Sequence, residues 1–396
     1  MSGTVSQAVA ITSTSLQNIR ERFASSIVAI IGIAGVVTVL VGVLSIREGF
    51  RVALDYSGSP DIAIVLRGGS SDELSSGMGQ DQARIIMDSP HVARDADGPI
   101  ASAELYVIVD IPMKSTGTAA NVPFRGVGQN APKLRDNFRI VEGRMFTPGT
   151  FEVIVGAGAA ESFEGLVVGN KVRWGTTDWT VVGRFEDKGS VSESEVWTDA
   201  TVLQGAYNRG ASYQSVRVKL TSPDALTAFR DSLSADPRVN TKVYSEEAYY
   251  QEQSEGLRTM ITGLGFGIAI LMGLGAIFAA LNTMYSAVSA RTREIATLRA
   301  LGFGSFPVVI SVIAEALLLA LVGSIVGMLV AYFAFNGVRA STINFASFSQ
   351  LSFAFAVTPE LLIQGLIYAL ILGLIGGLLP SIRAARLPIT AGLREL

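Results

Sequence analysis

Four long apolar segments divide the chain into stretches of different character. The first carries no charged residue from Ala24 to Ile46, and three more follow after residue 258. A helix needs roughly 20 apolar residues to cross a bilayer, and each of the four segments is long enough. The first is also too long for the core of a signal peptide, about 7–15 residues, so we expect it to be retained. The predicted transmembrane helices are 25–46, 259–284, 305–338 and 361–382.

Residues 47–258 follow a different pattern, in which charges return and short runs alternate between apolar and polar positions. Val216, Val218 and Leu220 alternate with Arg217 and Lys219, the period of a strand with one buried face. This pattern predicts that Arg217 is exposed. A Gly- and Ser-rich stretch, 68–80, is typical of a mobile loop. Further strand candidates are 61–66, 105–110, 151–155 and 179–185. A helix is predicted over 222–235, with Ser222 as its N-cap residue.

These segments predict an α-helical membrane protein with four transmembrane helices and a large α+β extracytoplasmic domain, 47–258, inserted between helices 1 and 2. The domain is large enough to bury its own core. Orientation follows from the basic residues, which concentrate in the cytosolic loops of membrane proteins. The short loop 339–360 contributes only Arg339, whereas the other face carries Arg20, Arg22, Arg291, Arg293, Arg299, Arg383, Arg386 and Arg394. The cytosolic parts are therefore the segment 1–24, the connection 285–304 and the tail 383–396, and both termini lie in the cytosol.

The connection 285–304 is a short charged island between two apolar segments. Its charged residues, Arg291, Arg293, Glu294 and Arg299, crowd together, and its apolar residues, Ile295, Leu298 and Leu301, follow at three-residue steps. Such spacing places side chains on one face of a helix, and Gly302 and Gly304 would end that helix. The pattern predicts a short amphipathic helix at the membrane face. The alternative is a basic loop that only sets membrane orientation.

Small residues repeat at four-residue spacing in each of the last three spans. Pairs of this kind let helix backbones approach closely in a bilayer, where lipid provides no hydrophobic drive for association. We expect contacts within the helix bundle, and with a second copy of the chain, at Gly263, Gly267, Gly323, Gly327, Gly373 and Gly377.

Glu315 is an acidic residue deep in an apolar run, and Asn282 is a polar residue near the end of the second span. A carboxylate in a transmembrane helix costs about 2.5–3.5 kcal/mol on insertion scales. Glu315 should therefore face protein or water, or be protonated. Two interpretations remain open: a switchable polar contact within the bundle, or a side chain that extends to the cytosolic membrane face.

The composition agrees with a membrane setting and excludes several kinds of chemistry. Charged residues make up 16% of the chain, against about 25% in soluble domains. The net charge of −3 gives no reason to expect nucleic acid, and without Cys and with one His the chain lacks the usual zinc ligands. Gly165 to Lys171 lacks the spacing of a phosphate-binding loop. Acidic pairs at 193/195 and 246/247 are typical of solvated surface. We expect no catalysis, no metal and no cofactor on this chain.

Several motifs carry a resemblance to a known family. The stretch Arg291-Thr-Arg-Glu-Ile-Ala-Thr-Leu-Arg-Ala-Leu-Gly302, preceded by Asn282 and followed by a span with Glu315, resembles the signature of FtsX/MacB-type permeases of ABC transporters. The ending Pro380-Ser-Ile-Arg-Ala-Ala-Arg-Leu-Pro388 is similar to that of the same family. Val168-Gly-Asn-Lys-Val with Trp179-Thr-Val-Val-Gly183 resembles a strand pair of the MacB-like periplasmic core domain.

The resemblance implies a permease subunit of the bacterial inner membrane, with its large domain in the periplasm, that docks a cytosolic ATP-binding subunit. ATP and Mg²⁺ would bind that partner. MacB carries its ATPase ahead of the first span, where this sequence has only residues 1–24, so we expect a separate ATPase polypeptide. The ridge of Ile295, Leu298 and Leu301 would meet a groove on the ATPase. A second permease copy, identical or paralogous, membrane lipid and a periplasmic membrane-fusion adaptor are further partners consistent with the family.

Three functions remain open at this point. The first is export or efflux, or a related lipoprotein-releasing activity. The second is mechanotransmission to an extracytoplasmic cell-wall hydrolase, as in division-type members of the family, although a domain of this size is large for those. The third, from another class, is a membrane-anchored binding or sensor protein without an ATPase. The charged island argues against the third, because a passive anchor needs one span and no such helix.

Overall fold

The computed structural model describes residues 23–55, 57–344, 349–386 and 388. The predicted N-terminal segment, except Phe23 and Ala24, and most of the predicted tail lie outside these residues, including Arg20, Arg22 and Arg394. The chain forms two compact units. The described parts of the helical unit lie in 23–48, 260–338 and 355–388, and the α/β unit comprises Gly49–Thr259 with Arg339–Ala354.

The helices and strands are numbered along the chain. The α-helices are α1 Phe23–Asp55, α2 Gln80–Met87, α3 Ala157–Ser162, α4 Ala200–Ala206, α5 Ala225–Ser234, α6 Glu246–Ala290, α7 Thr292–Ala300, α8 Ser305–Phe335 and α9 Pro359–Arg386. The strands are β1 Ile62–Arg67, β2 Met78–Gly79, β3 Arg94–Asp95, β4 Gly98–Pro99, β5 Ala101–Pro112, β6 Ala119–Val127, β7 Arg139–Gly143, β8 Glu152–Gly156, β9 Lys171–Trp174, β10 Thr177–Glu186, β11 Val196–Asp199, β12 Ser212–Tyr213, β13 Ser215–Lys219, β14 Thr241–Ser245, β15 Arg339–Asn344 and β16 Ser349–Ala354.

Within the described residues, four helices are long and apolar enough to cross a membrane: α1, α6, α8 and α9. This confirms the predicted helical membrane class with a mixed α/β domain between the first and second spans. The helices extend further than the apolar runs. α1 continues to Asp55, and α6 is one helix of 45 residues that begins well before its apolar part. Helix length therefore exceeds what hydropathy alone defines.

Glycines of α8 and α9 provide close helix contacts in the bundle. A Cβ atom added at Gly327 would lie 2.6 Å from the carbonyl oxygen of Ala34 in α1. At Gly323 the equivalent atom would lie 3.0 Å from the carbonyl oxygen of Ile30. Thr38 of α1 also donates a hydrogen bond from Oγ1 to the Gly327 carbonyl, at 3.1 Å. The absent side chains therefore allow α1 and α8 to pack backbone against backbone.

The other two predicted glycine pairs differ from each other. Cβ atoms added at Gly373 and Gly377 would lie 2.6 Å from the Cβ of Ala320 and 2.7 Å from that of Ala316, so α9 packs closely on α8. Gly263 and Gly267 of α6 have no neighbouring atom within 4 Å of such a position among the described residues. The bundle contact expected at Gly263 and Gly267 is therefore not made with any residue that the structure describes.

A mixed sheet forms the framework of the α/β unit. Its strand order is β14-β1-β13-β5-β6-β11-β8-β10-β7, with β9 paired to β10. β5 serves two neighbours: Ala101–Glu104 pairs with β13, and Leu105–Pro112 pairs with β6. We call β14, β1, β13 and the first part of β5 the first lobe, and the remaining strands the second lobe. The two lobes therefore meet where β5 changes partner, at Glu104 and Leu105.

Each lobe has its own apolar core. In the first lobe, α2 and α5 pack on one face of the strands, with Ile86 and Phe229 fully buried among valines of β1 and β13. In the second lobe, Phe124 lies edge-on against Trp179, with 4.9 Å between ring centroids, in a core completed by residues of β8 and α4. The predicted strands and the helix near 222–235 are confirmed, although α5 begins at Ala225.

The loop predicted between the third and fourth spans contains a β-hairpin that belongs to the α/β unit. β15 and β16 pair antiparallel, from Arg339 opposite Ala354 to Asn344 opposite Ser349. Arg339 lies 3.0 Å from the carboxylate of Glu161, and Phe353 packs edge-on against Phe50 at 5.6 Å. The hairpin is thus an additional part of the α/β unit that comes from the far end of the sequence.

Filling the close contact at Gly327 should destabilise the bundle. Gly327→Leu places a side chain where the Ala34 carbonyl already lies, and overpacking of this kind costs about 1–3 kcal/mol. We expect a lower unfolding temperature of the detergent-purified protein, measured by scanning fluorimetry. Gly263→Leu is the matched control and should leave that temperature unchanged. Equal destabilisation by both substitutions would contradict the packing described above.

Candidate functional site

The charged island forms the helix α7, with a break from α6 at Arg291. Arg291 has φ −109° and ψ 9°, outside helical geometry, and acts as the N-cap residue of α7. At the other end, Gly302 adopts φ +95°, a conformation that glycine adopts without strain. The Gly302 and Phe303 N–H groups donate to the carbonyls of Arg299 and Leu298, at 3.1 Å each. This is the Schellman arrangement that ends a helix at a glycine.

The predicted apolar ridge of α7 divides between two faces, which corrects the prediction. Ile295 is buried and Leu298 is half-buried, and both pack in the bundle core with residues such as Val312 of α8. Leu301 is 72% exposed. Three-residue steps fall short of a helical turn by roughly 60° each, so Leu301 is rotated about 120° from Ile295. Ile295 and Leu298 therefore attach α7 to its own bundle and are not available as a ridge for a partner.

The exposed side of α7 combines opposite charges with an apolar end. We call this surface the α7 outer face, and its residues are Arg293, Glu294, Thr297, Ala300 and Leu301. Arg299 is half-buried beside it. The residues follow at steps of one, three and four, so they form one continuous strip of helix. A partner protein could contact this strip without disturbing the bundle core.

Glu315 and Arg291 form a buried ion pair. Arg291 Nη1 lies 2.9 Å from Glu315 Oε2, and the two residues are 6% and 4% exposed. Glu294 lies farther from the Arg291 guanidinium, at 3.9 Å. The Glu315 side chain therefore makes a polar contact within the bundle. Asn282 is exposed on α6, so the structure does not place it in this buried site.

A second polar site, which the sequence pattern did not predict, lies where the two lobes of the α/β unit meet. Arg125 of β6 is buried and donates from Nε and Nη2 to Glu195, at 2.8 and 2.7 Å. Its Nη1 and Nη2 reach Glu73 at 2.7 and 3.0 Å, and Nη1 also reaches Glu104 at 2.9 Å. The guanidinium also lies over the ring of Tyr106, 4.8 Å from its centroid. One side chain thus joins two strands, a loop and the segment before β11.

Arg217 of β13 continues this arrangement towards α6. Its Nε lies 3.0 Å from Glu104, its Nη2 lies 3.6 Å from Glu73, and its Nη1 contacts the carboxylate of Glu246. Arg135 reaches Glu104 at 3.4 Å. We call the seven residues joined by these contacts the buried ion network: Arg125, Arg135, Arg217, Glu73, Glu104, Glu195 and Glu246.

The network corrects three predictions. Arg217 is buried, not exposed, because α6 covers the second face of the strand with Glu246 and Tyr250. Glu193, Glu195 and Glu246 are buried, not solvated surface. Glu73 lies in the stretch predicted as a mobile loop and is anchored by Arg125. A signal was present in the sequence: Glu104 stands between Ala103 and Leu105, and Arg125 follows Phe124. A charge that is buried among apolar residues needs a partner.

The electrostatics of the network differ from one carboxylate to the next. Burial by itself would raise the pKa of Glu73, but the Arg125 and Arg217 guanidiniums outweigh it and hold that pKa well below its usual range. Burial would also raise the pKa of Glu104, but the guanidiniums of Arg135, Arg217 and Arg125 outweigh this effect and lower that pKa. At Glu246 burial prevails over Arg217 and raises the pKa to about 7. The network therefore stabilises the charged forms of Glu73 and Glu104 and disfavours that of Glu246.

Two family models match the chain. A MacB-like periplasmic core domain matches residues 26–236, and an FtsX-like permease C-terminal domain matches residues 266–389. A macrolide export ATP-binding/permease protein from Aeromonas hydrophila is 22% identical over 92% of this chain and 57% of its own length. An ABC transporter permease protein from Mycobacterium tuberculosis is 24% identical over 96% of this chain and 44% of its own.

The chain spans about half the length of these curated relatives. Among solved structures, the periplasmic region of MacB from Actinobacillus actinomycetemcomitans is similar with a TM-score of 0.37 and 13% identity. That match covers 50% of this chain and 94% of the other.

Removing one partner of the Arg291–Glu315 pair should destabilise the bundle strongly. Arg291→Ala leaves a buried carboxylate without its guanidinium, a loss worth about 3–5 kcal/mol. We expect a marked fall in unfolding temperature in detergent. The double variant Arg291→Met/Glu315→Gln removes both charges and should recover much of the loss. If the double variant is no more stable than Arg291→Ala, the two side chains are not coupled.

Proposed function

Because the chain belongs to the ABC transporter permeases that combine a MacB-like periplasmic core domain with an FtsX-like permease domain, we propose that it couples ATP hydrolysis by a separate cytosolic ATP-binding subunit to movement of its α/β unit. The transport that this movement drives is export or efflux. ATP and Mg²⁺ are bound by the partner, and this chain is not itself an enzyme. The observation that carries the proposal is the α7 outer face, a charged and apolar strip on a helix that the bundle core holds in place.

The structure of α7 supports a docking role over a passive orientation signal. An orientation signal needs basic residues only, in any conformation. Here Ile295 and Leu298 anchor the helix, a Schellman motif ends it, and Arg291 ties its beginning to Glu315. A charged strip on a helix held rigidly in this way suits a specific protein contact, because the backbone is already ordered before binding and its ordering adds no further cost. The ATP-binding subunit is the partner that the family provides for a cytosolic helix.

Export is favoured over control of a cell-wall hydrolase. The Aeromonas hydrophila relative that aligns with 92% of the chain is named for macrolide export, and the α/β unit matches the core domain of the MacB-like group. We assign the protein to the inner membrane, with the α/β unit in the periplasm. A second permease copy completes the transporter, and a periplasmic adaptor is the partner that an export role would require.

Charge reversal on the α7 outer face should separate the permease from its ATPase. Glu294→Lys places like charges across the contact and Leu301→Asp buries a carboxylate there, so each should reduce the ATPase activity that co-purifies with tagged permease at least tenfold. Arg173→Glu on β9, where Arg173 is 70% exposed, is the control and should retain that activity. Leu298→Asp is unsuitable because it would damage the bundle core. Full retention by both test variants would leave α7 as an orientation signal only.

Reporter fusions should place the α7 connection and the α/β unit on opposite sides of the membrane. The basic residues flank the spans on one face, so a phosphatase fused after Phe303 should be inactive and one fused after Gly210 should be active. A cytosolic reporter such as a fluorescent protein should give the inverse result. Phosphatase activity at Phe303 would overturn the proposed orientation, and with it ATPase docking at α7.

A further inference from the structure

The first turn of α6 is held on the sheet by the buried ion network. We call Glu246–Tyr250 the α6 root. Glu246 contacts Arg217, and the Tyr250 hydroxyl lies 3.3 Å from both Nη1 and Nη2 of Arg217. Tyr249 is buried against Ile64 and Leu66 of β1 and Tyr244 of β14. Both polar and apolar contacts of the root are therefore made to strands of the first lobe.

The charges around Glu246 do not balance when every group is ionised. The network contains three guanidiniums, on Arg125, Arg135 and Arg217, and four carboxylates. Its excess is thus one negative charge in a site closed to water, which is costly. The groups that act on Glu246 are Arg217 from β13, Arg135 from the segment before β7, Glu104 from β5 and the Ser59 backbone from the loop before β1. The carboxylate of Glu104 opposes its ionisation, whereas the other three favour it.

Among the carboxylates of the network, Glu246 has the fewest contacts that stabilise its charged form. Glu73 receives two guanidinium bonds from Arg125 and one from the Ser215 hydroxyl. Glu104 contacts all three arginines. Glu195 receives two bonds from Arg125 and one from the Trp197 indole N–H, at 2.7 Å. Glu246 contacts one guanidinium, that of Arg217, which it shares with Glu104 and Glu73, and has one backbone hydrogen bond, from Ser59.

We infer that the α6 root is a proton-controlled latch, in which Glu246 takes up one proton to balance the buried ion network and keep the root on the sheet, and ionises to loosen it. The latch uses the geometry of the α/β unit alone and does not depend on the proposed function. From this root α6 continues without a break to Ala290.

The direction of the pH effect follows from the raised pKa of Glu246, about 7 in the closed root. An open, solvated root returns the carboxyl to its ordinary pKa of 4.5. The closed root therefore binds the proton more tightly than the open root. Its stabilisation is complete below pH 4.5, is lost progressively as the pH rises, and is absent above pH 7. Opening should increase up to tenfold per pH unit within that window.

Hydrogen–deuterium exchange of the full-length protein in lipid nanodiscs tests the latch. Exchange of peptides covering 246–253 is followed by mass spectrometry from pH 5 to pH 8, with times corrected for the intrinsic rate. In the wild type we expect the opening constant to rise roughly tenfold or more from pH 5 to pH 7 and then to level off. Glu246→Gln mimics the protonated side chain, so its opening should stay low and constant across the range.

Glu247→Gln is the matched control, because Glu247 is the exposed neighbour on the same turn. It should follow the wild-type profile. Infrared difference spectra between pH 6 and pH 8 supply an independent measurement: a protonated carboxyl band should be lost in the wild type and in Glu247→Gln, and be absent in Glu246→Gln. A flat wild-type exchange profile, an unchanged rise in Glu246→Gln, or a carboxyl band in Glu246→Gln that is as strong as in the wild type would each overturn the latch.

Discussion

The need to pair buried charges constrains the α/β unit more than any other interaction. Removing the solvation of a guanidinium costs several kcal/mol, which is recovered only if geometry and hydrogen bonding are nearly complete. Arg125 meets that condition with Glu73, Glu104 and Glu195, which come from a loop, from β5 and from the segment before β11. The strands cannot shift in register, and the loop cannot leave, without exposing or isolating one of these charges.

The same constraint explains how the two lobes are joined. β5 changes partner from β13 to β6 next to Glu104, and Glu104 contacts arginines from both of those strands. The two largest apolar clusters lie separately, one in each lobe. Burial of apolar surface stabilises each lobe, whereas the charged contacts fix the position of one lobe against the other.

In the helical unit, close packing of helices and the Arg291–Glu315 ion pair hold the elements in place. Lipid offers helices no hydrophobic gain on association, so the glycines at 323, 327, 373 and 377 allow the close contacts that dispersion requires. The Arg291–Glu315 pair adds a polar contact that fixes the beginning of α7 against α8. α7 is therefore positioned by the bundle and still presents a free outer face.

The positions of the spans and of several strands and helices could be predicted from local patterns in the amino-acid sequence. The length of each uncharged run defined four spans, because the thickness of a bilayer sets how many apolar residues a helix needs. Alternation identified strands such as β10 and β13, and the N-cap and proline near residue 222 identified α5 to within three residues. The charged cluster and the glycines at 302 and 304 identified α7. These signals are local, so they identify an element without any knowledge of what packs against it.

Which side of an element is covered was decided only by the tertiary structure. Arg217 alternates like a surface residue, but a helix that begins 29 residues later covers it and supplies its carboxylate. Ile295 and Leu298 pack on the bundle and Leu301 does not, since the rotation of α7 depends on α8. Gly263 and Gly327 have the same local signal, yet within the described chain only Gly327 meets a neighbouring backbone. Periodicity indicates which residues of an element share a face. The residues that pack against that face come from distant parts of the sequence, and they determine whether a charge on it is solvated or paired.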